Sequence, residues 1–76
     1  MKLQEFIYLF EEIVMVESGT VSMDTELSEL ADWDSLAQIA LLSVFEEKLG
    51  IKMGVASLID VKKFSEIVDL INEHLE

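Results

Sequence analysis

Seventy-six residues, 51% of them hydrophobic, can build one core and no more, so the chain reads as a single domain over residues 1–76. It has no Cys and a single His, which removes disulfides and a structural metal as staples and leaves regular helix packing to hold so small a domain. Sixteen acidic residues against five Lys give a formal charge of −11, which repels nucleic-acid phosphates and anionic lipid surfaces; it suits basic partners, but equally serves to keep a small protein soluble and names no function.

The absence of Pro, only three Gly, and the abundance of Leu, Ile, Val, Glu and Met favour an all-α domain with short connections. No leader pattern opens the chain, and no apolar stretch is long enough to span a bilayer. A cytoplasmic monomer without stable membrane insertion is expected.

Along the chain, Leu3, Phe6, Ile7, Phe10, Ile13 and Val14 recur at helical spacing, which predicts an amphipathic first helix over Leu3 to Val14. Gln4, Glu5, Glu11 and Glu12 fall on the other side of that wheel. Glu17-Ser18-Gly19-Thr20 ends the period and opens a long polar connection to Asp34, anchored by Val21, Met23, Leu27, Leu30 and Trp33. A second helix is expected from Ser35 to Leu49, stopped by Gly50. It carries a broad apolar face of Ile39, Leu41, Leu42, Phe45 and Leu49, and a separate stripe of Leu36, Ala37, Ala40 and Val44 that the same contacts cannot bury. Ile51 to Gly54 reads as a connection and Val55 to Asp60 as a short helical turn. A last helix from about Lys62 to Leu75 buries Phe64, Ile67, Val68, Ile71 and Leu75.

The candidate site is Asp34-Ser35-Leu36, where the long connection meets the second helix. In a first helical turn, unpaired backbone N–H groups and the positive dipole end stabilise a phosphate. Taken alone, the tripeptide also reads as plain capping: Ser35 with Gln38 makes a Ser-x-x-Gln capping box, and Asp34 can cap the same helix.

The wider pattern resembles the acyl carrier protein family over nearly the whole chain. It consists of the amphipathic first helix, Asp24-Thr25-Glu26-Leu27 and Leu30 in the long loop, and Asp34-Ser35-Leu36. Phe45-Glu46-Glu47-Lys48-Leu49-Gly50-Ile51 then closes helix two, and Phe64-Ser65-Glu66-Ile67-Val68 opens the last helix. The resemblance implies a four-helix bundle with three main helices, one short helix and a long loop between helices one and two. It also implies a non-catalytic carrier bearing 4′-phosphopantetheine on Ser35, with acyl or aminoacyl cargo held as a thioester in lipid, polyketide or other specialised biosynthesis, fatty acid biosynthesis included.

The implied partners are a magnesium-dependent phosphopantetheinyl transferase, an acyl- or aminoacyl-loading ligase and a downstream synthase or transferase. Asp34 is expected to orient the loop or help place the metal, and Leu36 to meet the transferase. Trp33, Leu36, Ala37, Ala40, Val44 and Glu47 form the expected docking set.

The chain departs from the common fatty-acid-synthesis pattern at three places. Ala31-Asp32-Trp33 stands where Leu-Gly and a small residue usually precede the motif, Ala37 and Ala40 stand at usually acidic positions, and Lys62-Lys63 replaces the Thr before the last helix, leaving Asp60 or nothing as its cap. A more apolar docking face suggests a dedicated pathway.

Trp33 either closes the loop over the core or contacts the arm or a partner. Tyr8 is expected to rim helix one, and His74, with no nucleophile or ligand beside it, to sit on the surface. A hydrolase is set aside because Ser35 has no base, and a calcium loop because Asp32-x-Asp34 lacks the Gly and closing Glu. The competing reading is a helical adaptor that binds a partner through the helix-two stripe.

Overall fold

The computed structural model describes residues 1–76 and is all-helical, with four α-helices: α1 (Leu3–Ile13), α2 (Ser35–Val44), α3 (Ala56–Ile59) and α4 (Phe64–Ile71). In α1 the helical spacing puts Phe6 and Phe10 fully inside, with Val14 following them, while Leu3, Ile7 and Ile13 are partly covered. The helix ends in two reverse hydrogen bonds, Met15 N–H to Glu12 O at 3.3 Å and Val16 N–H to Glu11 O at 3.0 Å. That pattern requires a left-handed residue between them, and Met15 supplies it at φ +56°.

Glu11 departs from the wheel reading. It is only 2% exposed, and its Oε2 accepts the N–H groups of Gly19 at 2.9 Å and Val21 at 3.0 Å. The connection after α1 folds back across the helix, so its buried amides need acceptors, and this carboxylate provides them. Oε1 has no hydrogen-bond partner.

The long connection is stitched rather than loose. Val21, Leu27 and Leu30 are buried, and Leu27–Glu29 forms a 3₁₀ turn, whereas the Met23 side chain is 38% exposed and stands outside the core cluster. Leu27 N–H donates to Lys62 O at 2.8 Å, Phe64 N–H to Thr25 O at 2.9 Å and Ser65 N–H to Met23 O at 3.1 Å. These bonds tie the connection to the start of α4 through an antiparallel bridge between Glu26 and Lys63.

The second helical element runs the expected length, but its last five residues, Phe45–Leu49, are wound as a π-helix. Gly50 then takes φ +67°, and Ile51 N–H reaches back to Phe45 O at 3.1 Å. The two apolar faces are rotated from the expected division. Ala37 is 5% exposed and Leu41 and Phe45 are fully buried, whereas Ile39 is 53% exposed. The small Ala37 side chain sits where α2 meets the core, and Ile39 shares the outward face with Leu36 and Ala40.

The last helix begins two residues later than expected, because Lys63 is extended at φ −119° and ψ 154°. A 3₁₀ turn, Asn72–His74, follows it. Its cap is neither Asp60 nor absent: Glu66 Oε2 accepts the backbone N–H groups of both Lys62 and Lys63. Those two bonds, the Lys62 one first, hold the Glu66 carboxyl below its ordinary value.

The core is centred on four phenylalanines. Phe64 at the start of α4 stacks on Phe6 at 5.6 Å and tilts against Phe10 at 4.9 Å, while Phe6 meets Phe45 at 5.9 Å. Such pairs add about 0.5–1.5 kcal/mol each beyond area burial.

Glu11→Ala leaves two amides without an acceptor and is expected to lose about 1–3 kcal/mol in urea unfolding, with faster hydrogen exchange at Gly19 and Val21 before any other amides. Since the folded Glu66 binds a proton less readily than the unfolded chain, its contribution is present above the usual value of 4.5 and is lost as pH falls through the lower folded value. The stability difference between wild type and Glu66→Gln, followed by thermal unfolding against pH, is therefore expected to hold from neutrality down to about that value and close below it.

Candidate functional site

The residues leading into α2 form a turn without glycine. Trp33 N–H donates to Leu30 O at 3.1 Å and Asp34 N–H to Asp32 O at 3.0 Å, and no residue of Ala31–Asp34 has positive φ. Trp33 is half-buried, its ring tilted against Phe10 at 5.4 Å, so it fixes the end of the connection on the core.

Asp34 is the N-cap of α2. Its Oδ1 accepts Ala37 N–H at 3.0 Å and its carbonyl accepts Gln38 N–H at 3.0 Å. Of the two capping arrangements open in the sequence, the aspartate one forms and the Ser35–Gln38 box does not. Ser35 is thereby the first residue of the helix proper and exposed. No protein group bonds to its hydroxyl, and the Ser35 and Leu36 amides have no acceptor within the chain.

Two open clefts flank this point. The larger, about 500 Å³, is lined by Trp33, Gln38, Leu27, Ile59 and Val61, between the start of α2 and the end of α3. The smaller, about 180 Å³, lies between the end of α1 and the start of α2, and Asp34 and Leu36 both line it. Trp33 thus both closes the connection over the core and walls a cleft.

Among the other residues of the expected docking set, Leu36 is 76% exposed, Ala40 and Glu47 are exposed, and Val44 is half-buried. Ala37 is buried and meets that region only as part of the lining of the smaller cleft. Ile39 and Met15 take up exposed positions that the sequence does not single out. Ile39 is assigned inward by a wheel drawn slightly off its true axis, and nothing in the residues around Met15 signals a left-handed turn there. Tyr8 is about half exposed on α1, and His74 is exposed in the C-terminal turn.

The arrangement fits a phosphate diester on Ser35. The hydroxyl is free and exposed, two backbone N–H groups of the first turn are unclaimed, and the dipole of a ten-residue helix points its positive end outward. Asp34 takes the capping work that otherwise occupies such a serine.

A family model described as phosphopantetheine attachment site matches residues 4–71. No curated protein and no solved structure matches the chain.

Asp34→Ala is expected to cost about 0.5–2 kcal/mol in chemical denaturation, and Asp34→Asn, which retains a capping oxygen, to restore most of it.

Proposed function

Because the chain belongs to the phosphopantetheine attachment family, we propose that it is a carrier that bears 4′-phosphopantetheine on Ser35 and presents thioester-bound acyl or aminoacyl groups to partner enzymes. The observation that carries the assignment to Ser35 is its position: first residue of α2, exposed, with a hydroxyl that Asp34 has relieved of capping.

The chemistry follows from that position. Ser35 Oγ attacks the β-phosphate of coenzyme A, an Oγ–P bond forms, and the bond to 3′,5′-ADP breaks. The hydroxyl proton passes to a base of a separate magnesium-dependent transferase, because no base of this chain bonds to Ser35. The unclaimed N–H groups of Ser35 and Leu36 would hold the charge of a phosphodiester on Ser35. When bound, the group supplies a terminal thiol on a flexible arm, to which cargo is joined as a thioester. Leu27, Trp33, Ile59 and Val61 offer apolar contact to a short cargo in the open cleft beside the attachment point.

Partner enzymes dock on the outward face of α2, where Leu36 and Ala40 are joined by Ile39, with Val44 and Glu47 at the far end. Apolar contact dominates near Ser35, and the acidic Glu46 and Glu47 supply charge further on. A face of this kind suits a dedicated ligase and acceptor rather than a generic fatty acid synthase set. No helix is long and apolar enough to cross a membrane.

Incubation with coenzyme A, Mg²⁺ and a broad-specificity phosphopantetheinyl transferase is expected to add one arm to the wild type and none to Ser35→Ala by intact mass. A wild type that gains no mass overturns the carrier assignment in favour of a helical adaptor using the same α2 face.

A further inference from the structure

Met15 stands where the end of α1 requires a left-handed backbone, but nothing in the fold requires its side chain. Its backbone is left-handed at φ +56°, a conformation that glycine adopts without strain and that ends helices most often through glycine. Its side chain, large and apolar, is 75% exposed. The hydrogen bonds that end α1 are made by backbone groups and need no side chain at this position. A strained residue with an exposed apolar side chain points to work outside the fold.

The surroundings indicate what that work is. Met15, Ile13, Leu36, Ala37 and Ala40 form the apolar wall of the cleft between α1 and α2, of about 180 Å³, and Asp32 and Asp34 bring two carboxylates to it. None of the five Lys lines it. Asp34 and Leu36 are the immediate neighbours of Ser35, so an enzyme that brings a phosphate to Ser35 Oγ covers this cleft as it does so. The matching occupant is an apolar side chain flanked by basic groups.

We propose that Met15 is a docking residue for the transferase that modifies Ser35, extending the recognition surface from α2 onto the end of α1; this rests on the carrier reading above. Three variants separate this role from a structural one. Met15→Gly relieves the backbone and is expected to raise the thermal midpoint by about 4–8 °C. Yet it removes the docking side chain, so the KM of the transferase for the carrier rises about tenfold with kcat little changed. Met15→Asn, which tolerates the left-handed backbone but is polar, is expected to raise KM similarly, and Met15→Leu to keep it near wild type.

Kinetics with coenzyme A, Mg²⁺ and the broad-specificity transferase, read by intact mass, decide the matter. Wild-type KM in both Met15→Gly and Met15→Asn, alongside normally modified wild type, overturns the docking role and leaves the carrier reading standing. A wild type that takes no arm removes both.

Discussion

The contact between Phe10 and Trp33 is the hinge on which the placement of Ser35 depends. Phe10 is fully buried in α1 and touches both Phe64, which brings in α4, and Trp33, which ends the long connection. Through those two rings the core reaches to within two residues of Ser35. The 21 residues 14–34 between α1 and α2 are otherwise a poor support for a site, because ordering each residue costs about 1–2 kcal/mol of backbone entropy. Here the buried Val21, Leu27 and Leu30, the Glu11 carboxylate and the bridge to α4 offset that cost along its length.

The start of α2 divides two tasks between neighbouring residues. A helix start favours an oxygen-bearing cap, and it also favours a phosphate, so a single serine in that position faces competing demands. Asp34 meets the first demand through Ala37 N–H and leaves Ser35 available for the second. The same economy appears at α4, where Glu66 reaches back to two lysine amides and so replaces the cap that the sequence lacks.

Much of this was legible in the residues. The spacing in Leu3–Val14 and Phe64–Ile71 marks two amphipathic helices directly, since each buries one clean stripe. Asp34-Ser35-Leu36 reads as a candidate site only through the pattern around it, because the tripeptide alone reads equally well as a cap. Glu11 was not legible: a helical wheel assigns a carboxylate to water, and only the return of the connection across α1 makes it an acceptor for Gly19 and Val21. Ile39 and Ala37 exchanged places because α2 is apolar on nearly every side, so periodicity leaves its rotation poorly fixed. The left-handed Met15 was invisible for a simpler reason, as its residue type argues against the conformation that it adopts.

The bridge between the connection and α4 carries a consequence for the order of assembly. Thr25 and Leu27 bond to residues at Lys62 and Phe64, near the other end of the chain, so these contacts are among the most non-local in the fold. Such contacts form late, after the loop-closure entropy between distant segments has been met. The segment that leads into Ser35 therefore reaches its final shape only once α4 has docked. On the carrier reading proposed above, an enzyme that reads that shape would act on finished molecules and pass over nascent or misfolded ones.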